Sequence, residues 1–67
     1  MKIFAERLKD LRTSLNISAR ELAKSINVSY VAIYMWERCE RLPNIENLIA
    51  LAKFFNVSTD YLCGLED

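Results

Sequence analysis

The sequence predicts an all-α fold, a compact bundle of five short helices with a helix-turn-helix at its centre. Three observations carry this. Apolar residues recur at the three- and four-residue spacing of helices along the whole chain. Ser or Asn stands just ahead of four of the apolar stripes, where a helix needs a cap. The 67 residues hold one Gly and one Pro and are 52% hydrophobic, which suits a packed helical core and argues against disorder. That length reads as one domain, residues 1–67, near the lower limit for a self-sufficient core.

The first helix is expected from about Lys2 to Ser14, with Phe4, Leu8, Leu11 and Leu15 as its inner stripe. Asn16-Ile17 forms the bend that follows. Ser18 then caps a second helix, and Glu21 three residues on completes a capping box. Leu22, Ala23 and Ile26 form the apolar stripe of this helix. Asn27 ends it, since Asn tolerates the left-handed conformation second only to Gly. Val28 plugs the turn and Ser29 caps the third helix, expected from about Tyr30 to Arg38. Ala32, Ile33 and Trp36 share its inner side, while Tyr30, Val31, Tyr34, Met35 and Arg38 share the other. The loop Cys39-Glu40-Arg41-Leu42-Pro43 is closed by proline. Asn44 caps a fourth helix with Leu48, Leu51, Ala52 and Phe55 inside, and Asn56-Val57 breaks it. Ser58 caps a short fifth helix, with Asp60 in its first turn, where the dipole favours an anion, and Tyr61, Leu62 and Leu65 as its apolar residues.

Two helices joined by a turn as short as residues 27–29 must cross steeply. In that geometry the second can enter a DNA major groove while the first crosses the backbone. Net charge is zero, against the basic excess common in nucleic-acid binders. Its distribution is uneven. Residues 1–41 hold eight Lys/Arg against five Asp/Glu, a net +3, and residues 42–67 hold one Lys against four Asp/Glu, a net −3. Such a split orients a molecule toward phosphates.

Other functions find little footing. No run approaches the roughly 20 apolar residues of a membrane span. Met1-Lys2-Ile3-Phe4 leads straight into charged residues, so the start does not read as a signal peptide and the expected location is cytoplasmic. With no His and two Cys, Cys39 and Cys63, neither a zinc site nor a nucleophile–base pair is expected. In an unexported chain both thiols stay reduced. The sequence offers no Gly-rich phosphate loop. The expectation is therefore no enzyme, no cofactor, no metal and no small-molecule substrate.

In sequence order, RLKDLR at 7–12, ISARELAKSINVS at 17–29, IYMWE at 33–37, LPNIENLIALAKFFNVSTDYL at 42–62 and the closing GLED resemble the phage-repressor family. This is the Cro-type, lambda-repressor-like helix-turn-helix family of bacterial and phage regulators. The resemblance covers nearly the whole chain. It implies a five-helix DNA-binding domain of a transcriptional regulator, most often a homodimeric repressor on an inverted-repeat operator in double-stranded DNA.

The resemblance also implies roles for positions. Tyr30, Val31 and Ala32, with Tyr34 and Met35 one turn on, would read base edges. Ser18 and Ala19 at the start of the second helix would sit on a phosphate, as free amides and the dipole there favour. Arg38 and Arg41 would track the backbone after the reading helix. Arg20, Lys24 and Ser29 stand nearby as further phosphate contacts. Arg12 and Glu37 match a structural ion pair between the first and third helices. Phe54, Tyr61, Leu62 and Leu65 are candidates for a dimer interface, with intramolecular core as the alternative.

Three departures from the family pattern stand out. Ala19 replaces a frequent Gln and leaves only backbone amides. Asn27 and Cys39 stand where Gly is frequent, and Cys39 would be strained at positive φ, so the third helix is expected to end differently there. The reading face is apolar and lacks the bidentate Arg–guanine and Gln–adenine contacts. It suits thymine methyls and Tyr hydroxyl bonds instead. The same face fits an alternative use, a protein-interaction module on this scaffold with weak or lost DNA binding.

Overall fold

The structure, a computed structural model, describes residues 2–67; Met1, the first residue of the amino-terminal start, lies outside them. Among the described residues it consists of helices alone: α1 (Lys2–Ser14), α2 (Ala19–Ile26), α3 (Tyr30–Glu37), α4 (Ile45–Phe55) and α5 (Thr59–Cys63). The predicted all-α five-helix bundle is the observed fold. α1 packs on α3 and α5, α2 on α3 and α4, and α4 on α5. Each helix contributes one fully buried branched residue: Leu8, Leu22, Ile33, Leu51 and Leu62. Phe4 and Trp36 fill the space between them, with Ala19, Ala23 and Ala52 where helices approach closely.

The caps follow the chemistry of their residues. The Ser18 hydroxyl accepts from the Glu21 amide at 3.0 Å, and the Glu21 carboxylate accepts from the Ser18 amide at 2.8 Å. Ser29 accepts from the Val31 and Ala32 amides, Asn44 from Asn47, and Ser58 from Tyr61. Each such bond satisfies an amide that the helix cannot pair, worth about 1 kcal/mol.

All five helices end on a left-handed residue: Asn16, Asn27, Cys39, Asn56 and Gly64, with φ between 56° and 82°. In each case the amide one residue further on bonds back to the last turn, as Val28 does to Ala23 at 2.9 Å and Glu40 to Met35 at 2.9 Å. This is the Schellman arrangement. At Gly64 a Cβ would stand 3.0 Å from Ile3 Cγ2, so glycine also makes room for α1 there. Three connectors share one pattern, Asn16-Ile17-Ser18, Asn27-Val28-Ser29 and Asn56-Val57-Ser58. Asn stops one helix, the β-branched residue tucks half-buried against the core, and Ser starts the next.

The structure corrects several expectations. α3 ends at Glu37, and Arg38 is its cap rather than its last residue. Cys39 does take the left-handed conformation, so α3 ends as a Gly-terminated helix would, despite the Cβ. Leu15 lies past the end of α1 and is exposed, because the stripe continues in sequence after the helix has stopped. Leu65 lies beyond α5 and is 77% exposed.

Candidate nucleic-acid interface

α3 is positioned from beneath. Ile33 and Trp36 anchor its inner face, and Arg12 ties its end to α1. The Arg12 guanidinium meets the Glu37 carboxylate through two bonds, Nε to Oε2 at 2.7 Å and Nη2 to Oε1 at 3.0 Å. Its Nη1 donates to the Ile17 carbonyl at 2.9 Å. The two side chains are only 14% and 6% exposed. The hydrogen bond to Glu37 holds the guanidinium pKa above its ordinary value, against the opposing pull of burial. A half-buried bidentate pair of this kind fixes orientation more than it adds net stability.

With its inner side fixed, α3 presents Tyr30, Val31 and Tyr34 to solvent at 37–46% exposure, with Met35 half-buried beside them. Ala32 is half-buried and packed against the core, and it also lines the open cleft beside α3. Cations flank this face on both sides. From α2, the Arg20 guanidinium lies over the Tyr30 ring, 3.8 Å from its centroid. Lys24, one turn on, is exposed. From the far side, Arg41 lines an open cleft of about 400 Å³ together with Ser29, Val31 and Met35. Asn44 and Asn47 of the α4 start complete its polar wall, and Arg38 is exposed at the α3 cap.

At the start of α2 the capping box uses two donors, the amides of Ser18 and Glu21. The Ala19 and Arg20 amides remain at the helix end, where an anion is favoured. The Ala19 methyl itself points into the core, so that residue can offer only its backbone. The Glu21 carboxyl pKa is lowered by the Ser18 backbone and side-chain bonds.

The expected dimer residues are not one surface. Leu62 is fully buried, the α5 contribution to the core, and cannot face a partner. Tyr61 is half-buried, with the Arg7 guanidinium 4.2 Å from its ring centroid and donating to its carbonyl. Phe54 is exposed and stands edge-to-face with Phe55. Among the described residues no His/Cys/Asp/Glu group could hold a metal ion, no disulfide joins Cys39 to Cys63, and no helix is long and apolar enough to cross a membrane.

Sequence reasoning missed that Asn44 and Asn47 line the cleft beside α3, and missed the stack of Arg20 on Tyr30. Polar residues at the start of a helix beside a basic loop are a legible signal for the first. The second joins two helices and has no local signature.

Two short capped helices, α2 and α3, packed on each other and joined by the turn Asn27-Val28-Ser29, make a helix-turn-helix. The chain belongs to the helix-turn-helix family, whose profile matches residues 8–62. The family is one of DNA-binding transcriptional regulators and not of enzymes. The chain is 46% identical over 61 residues to Repressor protein C2 of Salmonella phage P22, covering 91% of this chain and 28% of that protein. It is 41% identical over 64 residues to the HTH-type transcriptional activator BcrR of Enterococcus faecalis, covering 96% of this chain and 31% of that protein. The chain thus spans less than a third of either relative. A crystal structure of the P22 c2 repressor in complex with synthetic operator 9T in the presence of Tl+ superimposes with a TM-score of 0.91 at 42% identity, covering 98% of this chain and all of that one.

Proposed function

We propose that this chain is a sequence-specific DNA-binding transcriptional regulator, a repressor acting in the cytoplasm as a homodimer on an inverted-repeat operator. α3 enters the major groove. Tyr30, Val31, Tyr34 and Met35 meet base edges, with half-buried Ala32 beside them at the cleft. Val31 and the Tyr rings suit thymine methyls, and the Tyr hydroxyls can bond base acceptors. The Ser18 hydroxyl, the Ala19 amide, Arg20 and Lys24 take phosphates on one side of the groove, and Ser29, Arg38 and Arg41 on the other. Half-sites stand about one helical turn apart.

The observation that carries this reading is the framing of an exposed, partly aromatic α3 by Arg20 on one flank and Arg41 on the other. The likeness to an operator-bound repressor supports it. The direction of regulation is taken from the P22 relative, the more identical of the two named above. Of the expected dimer residues, Phe54 and Leu65 remain exposed enough to meet a second copy.

The zero net charge and the apolar reading face favour a second reading, a protein-interaction module on the same scaffold. One titration separates them. Fluorescence anisotropy on duplex DNA at several salt concentrations should give an affinity that falls steeply with salt. Arg41→Ala should weaken binding to all sequences alike and lower the salt slope by about one, while Tyr30→Ala should alter which sequence is preferred. Absence of binding at low salt would exclude the DNA reading and leave the second.

A further inference from the structure

Arg20 and Tyr30 belong to different helices, and the stack between them continues. The Tyr30 ring meets the Tyr34 ring edge-on, with centroids 6.0 Å apart and planes at 89°. A guanidinium is drawn to the negative face of a ring, and perpendicular rings set the positive edge of one against the negative face of the other. The result is a three-member stack of cation, ring and ring. It runs from the outer side of α2 to the second turn of α3. An exposed Tyr at the start of a helix would otherwise be free to change rotamer. Here one face of Tyr30 is covered and an adjoining ring limits its swing, so part of the ordering cost of binding is met before DNA arrives.

The geometry of Arg matters. Its plane can stack by the face while its five N–H donors still project from the edge. Lys carries the same charge but as a compact ammonium that cannot stack in this way.

We propose that Arg20 is a positioning residue for sequence readout, setting the preference of α3 through Tyr30 and Tyr34 without itself touching a base. This rests on the reading that α3 binds DNA. The test compares wild type, Arg20→Lys and Arg20→Ala. A duplex is first enriched by the wild type from a random-sequence pool, and affinity is then measured on it and on a scrambled duplex across a salt series. Because Arg20 is exposed, the melting temperature should fall by no more than a few degrees in either variant, the loss expected for one surface cation–ring contact. Arg20→Lys keeps the charge and should keep the wild-type salt slope, and any weakening of the phosphate contact should lower affinity for both duplexes by the same factor. Its preference for the enriched duplex should fall about threefold to tenfold. Arg20→Ala should lose the preference and also about one unit of salt slope. Bases whose selection changes in Arg20→Lys should be those that change in Tyr30→Ala.

An Arg20→Lys protein that keeps the full preference overturns the proposal alone and leaves Arg20 as a phosphate anchor. A wild type that binds duplexes without discriminating among them overturns it as well. A wild type that binds no duplex at low salt removes the DNA reading and the proposal together.

Discussion

Three connections between helices, at Asn16–Ser18, Asn27–Ser29 and Asn56–Ser58, use one device, and the fourth, from Arg38 to Asn44, does not. In the first three, an Asn accepts the left-handed conformation at little cost, an Ile or Val tucks inward, and a Ser opens the next helix. Every backbone requirement is met by a residue suited to it. The fourth connection keeps the α3 closing bond and the Asn44 cap but not the rest of the pattern. A Cys takes the left-handed position, exposed Glu40, Arg41 and Leu42 follow, and a Pro precedes the cap. It is also the only one of the four with a residue other than its Ser in the cleft beside α3, where Arg41, Leu42, Pro43 and Asn44 stand. The regular joints set the frame. The irregular one departs from good local chemistry beside the open cleft, on the face proposed to meet DNA.

This contrast can be broken in several ways. The largest effect should come from the frame itself. Trp36→Ala removes the biggest core side chain of α3 and should cost about 3–5 kcal/mol, enough to unfold much of a 67-residue chain. Tyr34→Ser, two residues away on the outer face, should cost about 1 kcal/mol or less by urea denaturation, the loss of one edge-to-face contact with Tyr30. Equal losses at the two positions would mean that the outer face belongs to the frame.

Next in size is the Arg12–Glu37 bridge. Glu37→Gln leaves a half-buried guanidinium without its counter-charge and should cost about 2–3 kcal/mol by urea denaturation. The double variant Arg12→Met/Glu37→Leu should recover most of that loss, because it removes the stranded charge.

A smaller effect of opposite sign is expected at the irregular joint. Cys39→Gly should raise stability by about 0.5–1 kcal/mol, since glycine adopts positive φ without a Cβ penalty. Asn27→Gly should change little, because Asn already suits that conformation. Denaturation midpoints of the two variants give the comparison directly.

The smallest effect concerns acid. The Glu21 carboxyl pKa is lowered in the folded chain by the Ser18 bonds. Its contribution is therefore present above the ordinary carboxylate range and lost as pH falls through the lowered value. Glu21→Gln keeps an acceptor in the capping box but no charge. Its stability should fall less steeply than wild type on acidification below the ordinary Glu range.

Much of this architecture is legible in the residues. Ser18, Ser29, Asn44 and Ser58 mark four helix starts because a cap is a local requirement with few chemical solutions. Asn27 and Asn56 mark stops for the same reason. Leu15 and Leu65 misled because hydrophobic spacing says nothing about where hydrogen bonding has ended. Leu62 could be assigned to core or interface only once α1 and α4 were seen to close over α5. Cys39 gives no sign of a left-handed residue in its own chemistry, since its side chain does not favour positive φ; only the family's frequent Gly at that position hinted at one. The Tyr30–Tyr34 contact follows from four-residue spacing on α3, but the Arg20–Tyr30 contact depends on how α2 crosses α3, and no spacing rule encodes a contact between two helices.

The recurring joint has a practical consequence. Asn-Ile-Ser, once, and Asn-Val-Ser, twice, are also acceptor sequences for N-linked glycans. All three Asn side chains are exposed. Passed through a eukaryotic secretory route, this chain would offer a sugar attachment point at three of its four joints, and one at Asn27 would stand beside α3. The same three residues that close the helices so economically therefore confine useful production of the protein to compartments without oligosaccharyl transfer.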